Sequence, residues 1–388
     1  MKNSECALCG TEISSGNDSK EHVIPNAIGG RKKVSGFICR ECNNKSGDNW
    51  EVELASQLNP LSLFFSISRD RGEVPSQRFG TTSGNKVVLN VDGTMDLAKP
   101  VYSESPHEAG VNIKITARSM KEANRMLNGV KRKYPQVNLE ELVSLSEKRS
   151  IYPSDMINFN LSFGGELAGR SIVKSALALV VEAGVSAKEC EHAREYLTNQ
   201  DGEACFGYFY EKDLVLNRPE GIPFHCVYVK GHSKSGQILG YVEYFGVQRM
   251  VMSLSSQFTG EDFENIYAIN PITGAALGLK VDLQLTPNEI QDSYDYKKIP
   301  DGAIKEALAQ VIPTGMELSF QKERDRVLNG AILYAFENCG AKEGQVLTDE
   351  HLRKVTSLLF EKIEPFLLHQ LTISKEVKQY RNCTASLH

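Results

Sequence analysis

The sequence predicts an α+β chain in which a small cysteine-rich module is followed by a larger mixed region with an antiparallel sheet and C-terminal helices. Three observations support this fold class. Two Cys-x-x-Cys pairs lie within the first 42 residues. Short strand-like segments separated by turn residues follow one another in the middle of the chain. The C-terminal part instead shows the apolar spacing of helices.

Composition and charge limit the classes of function. The chain has 388 residues, 41% of them hydrophobic and 24% charged, as expected for a folded globular protein of two or three domains. Its net charge of −5 means that binding to nucleic acid would depend on a local basic surface. The N-terminus lacks an apolar signal segment, and no apolar run is long enough to span a bilayer. We therefore expect a cytoplasmic protein without membrane association.

We expect three parts along the chain. The predicted boundaries are residues 1–58 for the cysteine-rich module, 59–155 for a small α+β unit or connector, and 156–388 for an α+β domain that regulates, senses or presents substrate. Glycines punctuate the module, which predicts loops and short strands. Its single helix should span residues 40–58, because Trp50, Leu54 and Leu58 recur with helical spacing.

The larger region contains predicted strands and helices. The predicted strands are a hairpin over 86–97 around Asp92-Gly93, then 111–116, 225–230, 237–245, 249–253, 264–269 and 278–283. The predicted helices are 119–134, 171–183, 301–312, 321–338 and 348–371. Residues 171–183 are apolar nearly all round, so this helix should be buried. The polar end from Ser374 is predicted to be a loose tail.

The two Cys-x-x-Cys pairs predict a structural Zn²⁺ site. Four soft ligands in paired spacing suit a tetrahedral zinc ion, and the ligands would be Cys6, Cys9, Cys39 and Cys42. The other cysteines are scattered, which indicates buried thiols in a reducing compartment rather than a disulfide framework. Because 29 residues separate Cys9 from Cys39, a folded segment must lie between the pairs.

That intervening segment carries the polar residues of interest. It reads Glu21-His22-Val-Ile-Pro and then reaches Gly29-Gly30, and Asn43 directly follows the last cysteine. Zinc would hold the strand of Glu21 and His22 against the helix that begins near residue 40. We therefore expect Glu21, His22 and Asn43 to converge.

This pattern resembles the HNH endonuclease family, in its subtype with a zinc ion held by four cysteines and the ββα-metal fold. The resemblance covers about the first 55 residues, roughly one seventh of the chain. It implies that His22 is the general base that activates water against a phosphodiester. It also implies that Glu21 and Asn43 bind a catalytic Mg²⁺ or Mn²⁺. The implied substrate is DNA, with RNA as an alternative.

The chain departs from the family pattern in two places. The middle Asn of the motif is missing from the stretch at residues 33–36, so either a backbone carbonyl or Asn26 would orient His22. The pair is also Glu-His where Asp-His is common. Asp48 and Glu51 could each add a metal ligand, although a solvated helix face is the favoured interpretation. The basic run Arg31, Lys32 and Lys33 is either a solvated loop or a contact to the nucleic-acid backbone.

Two functional hypotheses remain open. The first is a metal-dependent HNH endonuclease that acts as a regulated bacterial effector, for example in defence against phage. Such an effector would respond to an activating ligand or partner protein, and a homo-oligomer would let it cut both strands. The second is a zinc ribbon that binds nucleic acid or protein without catalysis. The distances among His22, Glu21 and Asn43 distinguish the two hypotheses.

Overall fold

The computed structural model describes residues 5–108, 110–144, 146, 151–153 and 155–385, without the side chains of residues 107 and 374–385. Within these residues the chain forms two compact units. The first combines the chain up to Gln77 with Asn160–Leu318, and the second combines Arg78–Phe159 with the chain from Ser319. The three-part division predicted at residues 58 and 155 stays a prediction. The predicted α+β fold class is confirmed, because helices and antiparallel sheets follow a module that contains the cysteine cluster.

Residues 5–64 form a ββα arrangement. Strand β1 (Glu21–His22) pairs antiparallel with β2 (Lys33–Val34). Helix α1 (Arg40–Ser46) follows, and a π-helical turn (Gly47–Glu51) joins it to α2 (Val52–Phe64). The predicted helix is therefore present but interrupted by the π-helical turn and longer by six residues, from Leu58 to Phe64. Leu54 and Leu58 are fully buried, which explains the apolar spacing seen in the sequence.

The second unit begins with short strands. Strands β3 (Gln77–Thr81), β4 (Lys86–Leu89), β5 (Met95–Leu97) and β8 (Ile157–Asn158) form a sheet in the order β5-β4-β3-β8. Strand β6 (Val101–His107) pairs with β7 (Gly110–Thr116), and helices α3 (Met120–Lys133) and α4 (Leu139–Ser144) follow. The predicted hairpin around Asp92-Gly93, the strand at 111–116 and the helix at 119–134 are all present.

The rest of the first unit is a helix packed on a five-stranded sheet. Helix α5 (Glu166–Glu182) is buried along nearly its whole length, as predicted. Helix α6 (Glu191–Thr198) comes next. The strands are β9 (Phe206–Tyr208), β10 (His225–His232), β11 (Gln237–Tyr244), β12 (Gln248–Ser255) and β13 (Phe263–Ile269), antiparallel in the order β13-β10-β11-β12-β9. Because α5 contacts β10 and β11 on one side and β1, β2 and α2 on another, it joins the sheet to the N-terminal module.

One predicted strand of the first unit is wrong. Residues 278–283 form no strand, although an isolated bridge joins Val281 to Val215 and one backbone hydrogen bond flanks it on each side. The apolar residues Leu279 and Leu283 are buried in the core cluster of the sheet, which explains their alternation, but the backbone pairing of this segment is too short to form a strand. The fifth strand of the sheet is instead β9, which is too short to give a clear pattern.

Three helices complete the chain. They are α7 (Pro287–Tyr294), α8 (Ala303–Asn338) and α9 (Asp349–Ala385). The predicted helices at 301–312 and 321–338 are one continuous helix that contains Pro313, and Thr314 donates a hydrogen bond to the Gly221 carbonyl within the first unit. The loose tail predicted from Ser374 is wrong as far as Ala385, because α9 continues through a segment with neither Gly nor Pro. The rest of that prediction, residues 386–388, lies outside the described residues. None of the described helices combines the length and apolarity needed to cross a bilayer.

Candidate active site and zinc centre

The four cysteines predicted to bind zinc lie together. The Sγ atoms of Cys6, Cys9, Cys39 and Cys42 are all within 4.8 Å of one another, and those of Cys9 and Cys39 are 3.8 Å apart. Zinc–sulfur bonds of about 2.3 Å in a tetrahedron place the sulfurs about 3.8 Å apart. All four are free thiols. The cluster therefore fits a structural zinc ion, in agreement with the prediction.

Hydrogen bonds attach the segment before Glu21 to the second cysteine pair. Ser19 Oγ donates to the Ile38 carbonyl at 2.6 Å, and Asp18 forms a bridge with Cys39 and accepts from the Gly36 amide at 2.8 Å. These contacts lie directly before β1 in the chain. A zinc ion at the cysteines would therefore fix the position of β1 relative to α1.

The turn after β1 depends on its two glycines. Gly29 has a φ of +97°, a conformation that residues with a side chain rarely adopt. A Cβ at Gly30 would lie 1.7 Å from the Ile24 carbonyl oxygen, which leaves no room for any side chain. His225 reinforces this turn from the sheet, since its Nε2 lies 2.7 Å from the Ile28 carbonyl oxygen. The Glu21–His22 strand is thus anchored at both ends.

Glu21 lies in a buried charged cluster. Its Oε1 accepts a hydrogen bond from Lys174 Nζ at 2.5 Å, and the same ammonium donates to Glu51 Oε1 and, at 3.1 Å, to Ser46 Oγ. Only 1% of the Lys174 side chain and 3% of the Glu21 side chain are exposed. The favoured interpretation of Glu51 as part of a solvated helix face is therefore wrong, because its carboxylate turns inward to Lys174. Asp48 is exposed.

Burial and the charges of neighbouring groups together set the protonation of Glu21, Glu51 and Lys174. Burial raises the pKa of Glu21 to about 7, and the neighbouring Glu51 carboxylate adds to the rise while Lys174 opposes it. Burial also acts to raise the pKa of Glu51, but the Lys174 ammonium outweighs burial and holds that pKa below its ordinary value. The two carboxylates in turn keep the pKa of Lys174 above its ordinary value despite burial. Lys174 is therefore a cation at neutral pH.

The arrangement at Glu21 differs from the donor set of a divalent cation. The Lys174 ammonium already lies between the two carboxylates, so a metal ion does not fit between Glu21 and Glu51 as they stand. Asn43 lies half-buried in the first turn of α1, and its carbonyl accepts from Ser46 Oγ at 3.0 Å. Within the described part of the chain, no hydrogen bond joins its side chain to Glu21 or His22. A metal ion held by Glu21 and Asn43 stays a prediction.

His22 faces a carboxylate that the sequence did not indicate. Its Nε2 lies 3.4 Å from Asp70 Oδ2, and Lys33 Nζ lies 2.5 Å from the same oxygen. Asn26 holds the neighbouring backbone, because its side-chain amide donates to the Arg71 carbonyl at 3.0 Å and accepts from the Arg71 amide at 3.1 Å. Asn26 thus bonds to the backbone of the residue after Asp70, and the carboxylate that contacts the His22 ring is that of Asp70.

The surroundings of His22 favour a neutral ring that can accept a proton. Burial lowers the pKa of His22 below its ordinary value, and the hydrogen bond to Asp70 partly opposes this effect. When Nε2 donates its proton to Asp70, the lone pair of Nδ1 becomes the basic position of the ring. A neutral imidazole next to a carboxylate is the arrangement expected of a general base at neutral pH.

The basic run after the glycines makes contacts within the chain. Arg31 Nη2 donates to Ser68 Oγ at 2.8 Å, and Lys32 Nζ pairs with Glu182 at 2.8 Å. The third member, Lys33, pairs with Asp70 as described above. The side chains in these contacts are partly exposed, so each contact contributes little to the free energy of folding. Binding of nucleic acid by these three residues stays a prediction, and it would require them to exchange their present partners for phosphates.

The sequence analysis missed both Lys174 and Asp70, although the sequence contains an indication of the first. Lys174 is the lone charged residue in the apolar stretch 171–180, and a buried charge requires a partner of opposite sign. Asp70 had no such signal, since it lies in an irregular segment 48 residues from His22. The contact becomes visible only when the backbone path is known.

Comparison with known proteins identifies the N-terminal module. A family model described as HNH endonuclease matches residues 6–59. The matched segment contains the four clustered cysteines together with Glu21, His22 and Asn43. Asp70, Lys174 and His225 lie outside it. Searches of curated proteins and of solved structures returned no significant match.

Proposed function

Because residues 6–59 match the HNH endonuclease family, we propose that this chain is a metal-dependent endonuclease that hydrolyses phosphodiester bonds of DNA. The observation that supports the proposal most strongly is the environment of His22. This histidine is buried except for 8% of its surface, has a lowered pKa, and contacts the Asp70 carboxylate through one ring nitrogen. A general base at neutral pH needs a neutral imidazole whose ring is held in place, and His22 meets both requirements.

In the proposed reaction, His22 takes a proton from a water molecule as the water oxygen attacks phosphorus. A new P–O bond forms, the bond from phosphorus to the 3′ oxygen breaks, and that oxygen receives a proton from solvent. Asp70 stabilises the imidazolium formed at His22, since the charges are opposite and in contact. The family-implied Mg²⁺ or Mn²⁺ at Glu21 and Asn43 would neutralise the phosphate, and this requires that Lys174 release Glu21.

We also propose that the chain outside residues 6–59 controls when the nuclease acts. The support is that Lys174, which lies on α5 outside the matched segment, holds a carboxylate of the motif. Such control suits a cytoplasmic bacterial effector that responds to an activating ligand or partner protein, as in defence against phage. A homo-oligomer would bring two sites to a duplex. RNA is the alternative substrate.

A second candidate function is a zinc-bound module that binds nucleic acid or protein without catalysis. One observation favours it, namely that Glu21 is engaged by Lys174 and is only 3% exposed. In this case the cluster would serve folding, and His22 would have no chemical role. The two candidates differ in whether the chain breaks a covalent bond.

A cleavage assay with a matched variant distinguishes them. Wild-type protein and His22→Ala are incubated with plasmid DNA, single-stranded DNA and RNA, each with Mg²⁺ or Mn²⁺, and zinc content is measured in both samples. The proposed function predicts cleavage by the wild type and loss of cleavage in the variant with zinc retained. Binding of these nucleic acids without cleavage would favour the second candidate.

A further inference from the structure

Helix α5 is mostly apolar, but it buries a lysine at its centre. Residues 168–180 of α5 are all buried, and Lys174 lies in the middle of that stretch. A buried ammonium is unfavourable unless oppositely charged groups surround it. The helix also packs on β10 and β11 of the sheet, so its position is set by the core. Lys174 is therefore a fixed part of the site rather than a mobile surface side chain.

Three oxygen atoms surround the Lys174 ammonium. Its three N–H groups are matched by three acceptors, which are Glu21 Oε1 on β1, Glu51 Oε1 in the π-helical turn, and Ser46 Oγ at the end of α1. Two carboxylates and a hydroxyl are also the kind of oxygen donors that Mg²⁺ and Mn²⁺ prefer. The same cavity could thus hold a divalent cation if the ammonium were gone.

We infer that the Lys174 ammonium occupies the cation position between the Glu21 and Glu51 carboxylates and competes with a divalent cation for Glu21. The two cations cannot share the carboxylates, because Lys174 Nζ is 2.5 Å from Glu21 Oε1 and fills the space between them. Like charges in a buried site also repel strongly. This inference rests on the proposed function only for the role of Glu21 as a ligand. It implies that Glu21 does not bind metal while Lys174 is in place, and that the proposed cleavage requires substrate or an activator to move Lys174 away from Glu21.

Removal of the ammonium should create a divalent-cation site. In Lys174→Met a side chain of similar length replaces the lysine, and the buried Glu21 and partly buried Glu51 carboxylates lose their counter-ion. Mn²⁺ should then bind at Glu21 and Glu51. We expect an affinity at least about tenfold higher than in the wild type. The gain should vanish in the double variant Lys174→Met/Glu21→Gln, because one of the two carboxylates is then missing.

The test is Mn²⁺ binding to the zinc-loaded full chain, measured by calorimetry and by the electron paramagnetic resonance signal of unbound Mn²⁺. No nucleic acid is present, so the result is independent of whether the chain cuts. The single variant Glu21→Gln should bind Mn²⁺ as the wild type does, since Lys174 already blocks Glu21. Lys188→Met, which removes an exposed lysine, serves as the control.

Two results would overturn the inference. One is a wild-type affinity that falls tenfold or more in Glu21→Gln, since metal would then reach Glu21 with Lys174 in place. The other is equal affinity in folded Lys174→Met and the wild type. If Lys174→Met fails to fold, the comparison of the wild type with Glu21→Gln still decides the question. Failure of the proposed function would appear elsewhere, as cleavage unaffected by His22→Ala.

Discussion

His22 and Asp70 form the pair on which the proposed chemistry depends. The His22 ring is buried, and its Nε2 lies 3.4 Å from Asp70 Oδ2. Asn26 fixes the backbone next to Asp70, so the carboxylate is held from two directions, by Lys33 and by the chain itself. This geometry can fix both the orientation of the ring and the nitrogen that carries its proton.

Asp70→Asn should lower the rate of cleavage without unfolding the chain. We expect kcat to fall by about tenfold to a hundredfold with little change in KM, because the ring loses its orienting charge while substrate contacts remain. Asp70 is partly exposed, so the melting temperature should change little. Steady-state kinetics on a DNA substrate measures this effect. Asp48→Asn, an exposed acid on the adjoining helix, is the control, and equal rates for the two variants would contradict the role of Asp70.

The sequence predicted part of this site. The spacing of the cysteines predicted the zinc centre, whereas His22 as the base was implied by the family resemblance and stays a prediction. Asp70 and Lys174 come from distant segments, so only the packing of α5 and of the irregular chain at residues 66–76 brings them to the motif. Asp70, whose carboxylate contacts the His22 ring, could not be deduced from a local pattern.

At the scale of elements, the cysteine cluster and His225 support the chain before and after strand β1, respectively. The cluster fixes the chain before β1 through Ser19 and Asp18. His225, on β10, contacts the Ile28 carbonyl after β1 and accepts a hydrogen bond from the Phe245 amide at 3.0 Å through Nδ1. Nε2 therefore carries the proton, and the ring is neutral and fully bonded.

Cys39→Ala should release zinc and unfold the N-terminal module. Structural zinc contributes folding free energy directly, and loss of one of four ligands removes most of its affinity. Zinc content by atomic absorption and the thermal melting curve measure the effect. Cys190→Ala removes a buried thiol outside the cluster and should keep its zinc. Full zinc content in Cys39→Ala would contradict the assignment of the cluster.

The stability of the first unit should fall on acidification because of His225. Burial lowers the pKa of this ring to about 3, whereas in the unfolded chain it is near 6.5. Between these pH values the unfolded state binds the extra proton. The unfolding free energy therefore decreases as pH falls below 6.5, by about 1.4 kcal/mol per pH unit, or about 2 kcal/mol by pH 5.

Denaturant unfolding from pH 7.5 to 5 measures the His225 effect. His225→Gln cannot take up this proton, so its stability should depend less steeply on pH, although it is lower at pH 7.5. His232→Gln, which alters an exposed histidine paired with Asp262, should keep the steep wild-type dependence. An unchanged slope in His225→Gln would show that other groups cause the acid sensitivity.

At the scale of the whole molecule, the matched module lies within a larger compact unit. Residues up to Gln77 and Asn160–Leu318 are one compact unit, and α5 supplies Lys174 to the motif. The sequence predicted the fold class, the buried helix and four of the five sheet strands. It missed β9 and the continuity of α8, because a three-residue strand and a helix with an internal proline both depend on tertiary contacts.

The isolated module should be less stable than the same residues in the full chain. A fragment of residues 1–64 keeps its cysteines but loses the partners of Glu21 and of the Ile28 carbonyl, which are Lys174 and His225. We expect zinc binding with faster amide exchange at β1 and a lower melting temperature. Hydrogen exchange read by mass spectrometry compares the two forms. Equal protection of β1 in both would show that the larger unit does not support the motif.

The central claim, that His22 carries out phosphodiester hydrolysis, is tested most directly by the single-turnover rate of DNA cleavage in wild type and His22→Ala samples of equal zinc content. The proposed mechanism predicts a wild-type rate at least about a hundredfold above that of the variant, because the variant lacks the base. Equal rates of cleavage in the two proteins would contradict it.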